Sequence, residues 1–315
     1  TSVFAMIVLE KPLSKVYPEI DMVTTPTGKP VAMVHCNNCT SDINAWAGML
    51  AGFAKAAGLE VSMGDIYTAI FKSALEGEKD CGGVVNVPLL SGEPVVGLNE
   101  GRPMMLRTPD AKLTFANFAR SIVAGAMSSL KLGMDILYKE NVQIDSLLGH
   151  GGYFKTPGVG QKILAAALKT PISVMETAGE GGPWGMALLA AYRVNGKRGE
   201  TLEQYLNEHV FAGAAGSTIA PDAEDAAGLD AYTAKFQQEC IHVYAGIVFD
   251  GKLSKYLRLF HFELSCQHCV EDECGFTACD DLEGVDIFIA ETEFSRYSHI
   301  VFVVRQRYTL IVQAV

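Results

Sequence analysis

The chain has 315 residues, 49% of them hydrophobic and 19% charged, with a formal net charge of −11. That length buries a substantial core and suits one large domain with an appendage, while the acidic balance excludes a broad nucleic-acid or anionic-membrane surface. No apolar run reaches the roughly 18 residues of a bilayer span and no basic-then-apolar leader pattern stands at the start, so the expectation is a soluble cytoplasmic protein that binds neither nucleic acid nor membrane.

The chain opens Thr1-Ser2 and runs straight into the apolar stretch VFAMIVLE with no initiator Met, which reads as a cut through a larger protein. A second strand is expected over 16–24 and a third over 31–35, with Pro-Thr-Gly-Lys-Pro punctuation at 26–30 between them. Short turns of this kind predict an antiparallel meander. After CNNC, Thr40 or Ser41 is placed to cap a helix carrying Ile43, Trp46, Met49, Leu50 and Phe53 on one face, and Asp42 suits its dipole. A helix over 63–75 leads to the Cys-Gly-Gly turn at 81–83, a strand-like segment VVNVPLLSGEPVVG, and an irregular connection over 97–109. From 112 to 137 the period is helical, with Leu113, Phe115, Phe118, Ile122, Met127, Leu130 and Met134 on one broad face. There follow a strand over 144–148, a helix over 159–169, a strand over 171–175, a helix over 183–193 and a short helix over 202–210.

Two glycine turns sit at strand-to-helix junctions, Gly149-His150-Gly151-Gly152 and the cluster that opens the helix near 182. Glycine lets a backbone approach a ligand closely, and unpaired amides at a helix start favour phosphate. The element order is close to the ribonuclease-H-like plan, an α/β domain of the actin/hexokinase ATPase type with a mixed sheet flanked by helices.

SGEP at 91–94, the helix RSIVAGAMSSLKLGMDIL, the turn LGHGG with FKTPGVGQKILAAAL, and the close ETAGEGGPWGMALLAAY resemble the C-terminal half of FGGY-family carbohydrate kinases, the group of xylulokinases, ribulokinases and glycerol kinases. The likeness covers residues 1 to about 236; HCNNCTSDINAW departs from the family's usual sequence there, which marks a divergent branch. The resemblance implies transfer of the terminal phosphoryl group of Mg-ATP to a hydroxyl of a small sugar, a ketopentose such as xylulose or ribulose. Such transfer needs positioning and charge neutralisation more than covalent chemistry.

By the same resemblance Thr1 and Ser2 stand near the phosphates, Gly151 and Gly152 against the adenosine or its α-phosphate, and Thr156 near the base, with Ser41 and Asn44 lining the same site. Each also has a plainer reading. Gly151 and Gly152 serve as turn glycines, Lys155 is as readily a solvated charge as a phosphate contact, and Ser41 reads first as a helix cap. Glu176 and Glu180 read as solvated or capping groups rather than an acid and base, His150 as a turn residue, and His35 and Trp46 as core. The family's general base and most of its sugar contacts belong to an N-terminal domain, so no catalytic residue is assigned here. The expectation is an ATP-binding half, residues 1–238, inactive without that domain as its partner; homo-oligomerisation is left open.

Residues 239–315 form an atypical, Cys-rich tail that ends in alternating apolar stretches, VDIFIAETEF and HIVFVVRQRYTLIVQAV. Cys266, Cys269, Cys274 and Cys279 have the spacing C-x2-C-x4-C-x4-C, which suits a tetrahedral zinc site. The acidic insert Glu271-Asp272-Glu273 argues against a nucleic-acid knuckle. The first reading of the tail is a foreign or out-of-frame extension without an evolved role, ahead of zinc or a reduced, partly packed segment. Two further functional classes stay open beside the kinase: a non-catalytic nucleotide-binding module and a zinc-stabilised interaction module.

Overall fold

A computed structural model of the chain describes residues 2–176, 181–213 and 215–260, and beyond them the strand segments 269–271, 276–279, 286–291, 300–306 and 308–313; side chains are described up to 243 except at 181–183. The chain forms two compact units, Thr1–Asp250 and Gly251–Val315. Among the described residues no helix is long and apolar enough to cross a membrane.

In the first unit, β1 (Val3–Val8), β2 (Ile20–Thr24) and β3 (Pro30–Cys36) form an antiparallel sheet in the order β1-β3-β2. This corrects the expected meander, because β3 and not β2 is central. Its Val31, Ala32, Val34 and Cys36 are buried, placing apolar side chains on both faces, whereas β1 and β2 each bury a single residue, Ile7 and Ile20. The strand that is apolar on both faces takes the doubly flanked place. The β2 to β3 turn is a tight hairpin in which the Lys29 amide donates to Thr25 Oγ1 at 3.0 Å.

Helix α1 (Ser41–Ala56) turns inward only part of the face expected, with Ile43 buried and Trp46 and Leu50 half-buried against the core. Ile43, Ala47 and Ala54 are buried, while Met49 and Phe53 are 53% and 68% exposed. The small alanines let the helix lie close to its neighbours, and Trp46 meets Phe118 edge-on at 5.2 Å. Helix α2 (Met63–Ala74) begins in a reciprocal cap: Asp65 N–H donates to Ser62 Oγ at 3.1 Å, and Ser62 N–H to Asp65 Oδ2 at 3.3 Å. Strands β4 (Val84–Val87) and β5 (Met104–Arg107) pair antiparallel. The second falls in the stretch expected to be irregular, since a Met-Met-Leu-Arg run without β-branched or aromatic residues carries little strand signal.

Helix α3 (Phe115–Lys139), capped by Thr114, is the axis of the unit. It packs against α1, α2, β1, β3 and β4, so it is buried on more than the one face its periodicity marks. Gly125 makes this possible on one side, because a Cβ there would stand 2.7 Å from the Asn86 carbonyl oxygen. Next come β6 (Leu147–Leu148), α4 (Val159–Leu168), β7 (Ile172–Met175), α5 (Gly181–Asn195), α6 (Leu202–Tyr205) with a π turn over Leu206–Val210, and β8 (Gly216–Ile219). In the mixed sheet β6-β7-β8, β6 runs parallel and β8 antiparallel to β7, and α4 packs on α3 and on this sheet.

The last helix, α7 (Ala223–Phe260), supplies core residues that chain order alone did not suggest. Leu229, Tyr232, Phe236, Cys240 and Val243 are buried, and Tyr232 Oη donates toward the carbonyls of Ser121 at 2.9 Å and Asn86 at 3.0 Å. Asp225, with a side chain 3% exposed, accepts Arg120 Nη2 at 2.8 Å and Lys79 Nζ at 2.7 Å. The boundary at 238 drawn from the sequence falls within this helix, ahead of buried Cys240 and Val243.

In the second unit, β9 (Cys269–Glu271), β10 (Phe276–Cys279), β11 (Asp286–Glu291), β12 (Ile300–Gln306) and β13 (Tyr308–Gln313) form an antiparallel sheet in sequence order. The apolar stretches of the tail supply β11 to β13. Cys269 and Cys279 stand opposite each other in the β9 to β10 register, and Cys266 and Cys274 lie outside the described residues.

Burial pushes the Asp225 carboxyl up, but the hydrogen bond from Lys79 and the charge of Arg120 outweigh it and leave it below the ordinary carboxylate range. A carboxylate with a lowered folded-state pKa contributes stability above its unfolded pKa and loses it as pH falls through the folded one. Denaturant titration of Asp225→Ala should therefore show a loss of about 3–5 kcal/mol near neutral pH, from the stranded Arg120 guanidinium, and a smaller loss in strong acid. A second expectation is that a chain ending at 238 unfolds at lower urea than one ending at 250, because it lacks Val243.

Candidate functional site

The first glycine turn lies between β6 and α4. The Gly149 amide donates to the Ser173 carbonyl at 2.8 Å, so the turn leaves the parallel pair of strands directly. Gly151 has φ +100° and ψ −177°, a backbone region that only glycine occupies without strain. A short 3-10 turn over Gly152–Phe154 follows, in which the Phe154 and Lys155 amides donate to the carbonyls of Gly151 and Gly152. A Cβ built on Gly151 or on Gly152 would meet nothing within 4 Å. The turn thus presents backbone to open space at these two residues.

The turn is held from beneath by Tyr153. Its buried ring meets Phe71 of α2 at 5.7 Å and Phe154 at 5.5 Å, and its hydroxyl donates to the Val123 carbonyl of α3 at 3.1 Å. Burial, with the neighbouring Cys39 thiol, holds the Tyr153 phenol far above its ordinary range. Gln161 of α4 donates from Nε2 to the carbonyls of Ile172 at 2.7 Å and Ser217 at 2.8 Å, which locks the helix to β7 and β8.

The structure brings Gly151, Gly152, Lys155 and Thr156 into this one turn. Lys155 is exposed and Thr156 half-buried, its carbonyl accepting the Val159 amide. Ser2 is exposed at the head of β1; Thr1 lies outside the described residues. One step beyond the Val3 to Cys36 pair on the two strands come Ser2 and Asn37, so Ser2 adjoins the loop that enters α1. Ser41 is the first residue of α1 and half-buried, with Thr40 at the cap position. Asn44, one turn on, accepts the Tyr67 hydroxyl at 3.0 Å. Glu176 and His150 are exposed and Glu180 lies outside the described residues. His35 and Trp46, read as core, are half-buried.

Several polar groups that shape this end are not read as site residues from the sequence, where Asp42 is assigned only to the helix dipole. Asp42 is buried and takes Trp46 Nε1 at 3.0 Å and Asn86 Nδ2 at 2.9 Å on the same oxygen. Glu93, of the SGEP segment, is 0% exposed. It accepts the Asn37 amide at 3.3 Å and, from Asn38, the amide at 3.2 Å and Nδ2 at 3.0 Å. Burial pushes its carboxyl up against the opposing pull of the Asn38 hydrogen bonds. Buried free thiols flank the same loop: burial raises Cys36, also next to Glu93, and takes Cys39 to about 11. Away from this end, Glu200, Glu208 and His209 bring their ligating atoms within 4.8 Å of one another, with His209 Nε2 3.0 Å from Glu200.

The sequence model of the FGGY family of carbohydrate kinases, C-terminal domain, matches residues 1–194. No curated protein matches the chain. Among solved structures, xylulose kinase from Rhodospirillum rubrum superposes with a TM-score of 0.55 at 16% identity, over 78% of this chain and 45% of that one. Xylulose kinase from Bifidobacterium adolescentis gives 0.52 at 18% over 75% and 42%. Plasmodium falciparum glycerol kinase with ADP gives 0.53 at 16% over 77% and 45%. These likenesses show the fold, the mixed α/β architecture of this type of kinase domain, and the chain spans less than half the length of each of these three structures.

The three glycines of the turn should respond differently to Ala. A Cβ at Gly149 would press on the Phe154 ring at 2.6 Å, and Gly151→Ala should cost about 1–3 kcal/mol through backbone strain, while Gly152→Ala should leave urea midpoints unchanged.

Proposed function

The chain belongs to the FGGY family of carbohydrate kinases as its C-terminal domain, and from that premise we propose that it is the nucleotide-side half of an ATP-dependent sugar kinase. The observation that carries this reading is the β6 to α4 turn, whose Gly151 and Gly152 offer backbone with open space around it, ahead of α4, the helix that Gln161 fixes to the sheet. Glycine backbone without side chains lets a ligand approach closely. Gly151 and Gly152 would lie against the adenosine or α-phosphate, Thr156 near the base, Lys155 within reach of phosphate, and Ser2, Ser41 and Asn44 along the phosphate end.

Magnesium fits as a companion of the nucleotide, since it is commonly held through substrate phosphates and water with one or two carboxylates. When bound, it would neutralise phosphate charge; this chain's residues orient the nucleotide and limit its freedom before transfer. The acceptor we propose is a ketopentose such as xylulose or ribulose. A further, N-terminal domain is proposed to supply the sugar contacts and the general base, and buried unpaired Cys36, Cys39 and Cys81 suit a reducing cytoplasm.

A second reading, a nucleotide-binding module without turnover, is favoured by Asp42, the carboxylate nearest in sequence to Ser41 and Asn44. It is spent on Trp46 and Asn86 rather than presented to a substrate.

Calorimetric titration of Mg-ATP and Mg-ADP into the chain, with sugar phosphorylation assayed alongside, tests both. The expected outcome is nucleotide binding without turnover, and turnover restored on adding the N-terminal domain; binding that stays silent in its presence favours the second reading. Gly152→Arg should weaken nucleotide binding at least about ten-fold, equivalent to about 1.4 kcal/mol, with an unchanged unfolding midpoint. Unchanged affinity in that variant moves the site away from the turn.

A further inference from the structure

Glu93 is buried to 0% exposure although it carries a carboxylate, and the loop it holds is not its own. Burying an ionisable group is costly unless hydrogen bonds replace the lost water. Here the replacement comes from the segment between β3 and α1: the Asn37 and Asn38 amides and Asn38 Nδ2 all donate to it. The attachment is reciprocal. Ser91 donates to Asn38 Oδ1 from its amide at 3.0 Å and its hydroxyl at 3.2 Å, while Asn37 Nδ2 donates to the Gly92 carbonyl at 2.9 Å. Glu93 is itself anchored by paired backbone hydrogen bonds with Leu98, at 2.7 and 3.1 Å.

The loop so held adjoins Ser2 on one side, through the register that pairs Val3 with Cys36, and runs into Ser41 on the other. We infer that Glu93 is a positioning residue for the phosphate end of the nucleotide: by fixing the Asn37 and Asn38 backbone it sets where Ser2 and the start of α1 stand. The inference rests on the nucleotide-site reading above and adds a division of labour to it. The glycine turn at 151–152, mounted on Tyr153, serves the nucleoside end, and the Glu93 staple serves the phosphates. Glu93 touches neither ligand nor reacting atoms and acts only through the loop.

The test compares ligands of increasing phosphate content on the same protein. Dissociation constants of adenosine, Mg-ADP and Mg-ATP are measured for the wild-type chain and for Glu93→Gln, which keeps the shape but replaces one acceptor oxygen with an NH2 group. The expected result is a loss of about ten-fold for Mg-ADP and Mg-ATP with adenosine affinity within about two-fold of wild type, since one misplaced charge-assisted hydrogen bond is worth roughly that much. Equal loss for all three ligands, or no loss, overturns the inference and leaves the glycine turn as the nucleoside site. Wild-type protein that binds adenosine as tightly as Mg-ATP also overturns it, while wild-type protein that binds none of the three overturns the nucleotide-site reading as well. Should Glu93→Gln fail to fold, Asn37→Ala, which removes only an exposed amide's bond to Gly92, carries the same comparison. A phosphate-selective loss there supports the inference; a uniform loss or none sinks it.

Discussion

A guanidinium removed from water must be given fixed partners, and Arg120, 1% exposed in the second turn of α3, sets that demand in the core of the first unit. Its Nη1 donates to the Ala74 carbonyl at the end of α2 and its Nη2 to Asp225 at the start of α7. Three helices distant in sequence are thereby held to one side chain. Leaving such a charge unpaired is far more damaging than the net worth of the pair when made, so the position of α7 is tightly constrained. Lys79 and Lys162 add to the same carboxylate from more exposed places, where water screens them.

The candidate site is built on this frame. Tyr153 carries the glycine turn onto α3 through Val123, three residues from Arg120, and onto α2 through Phe71. The elements that fix the core are therefore the elements that fix the turn, while Gly151 and Gly152 keep open space beside their backbone. That division suits a site whose task is to place a flexible anion with backbone rather than to react with it.

Local chemistry made much of this legible in the sequence. Helical period announces the helices over 63–75 and 112–137, and glycines between an apolar run and a helical period announce the turn at 149–152. What was not legible depends on partners far along the chain. Periodicity identifies an apolar face of α1 but not which neighbour covers it, so Met49 and Phe53 emerged at the surface. Strand order is a tertiary decision, and β5 exists because β4 lies beside it. Nothing in Glu93 or Asn38 taken singly reveals that they will meet across 55 residues. For α7 a signal was present in Ala226, Leu229, Tyr232, Phe236, Cys240 and Val243, spaced three or four apart behind the capping Asp222.

The ties of α7 also bear on how the chain is made. Arg120 precedes its counterion by 105 residues, and Asn86 precedes the hydroxyl of Tyr232 by 146. Translation at about 5–20 residues per second leaves the guanidinium without its acidic partner for about 5–20 s after it is polymerised. Throughout that interval the nascent chain cannot close its core, and the apolar face awaiting Leu229 and Phe236 is open to chaperones and to other ribosome-bound chains. A ribosome that stalls between residues 168 and 225 would hold a polypeptide with every β6 to α4 feature already synthesised and without the counterion of Arg120.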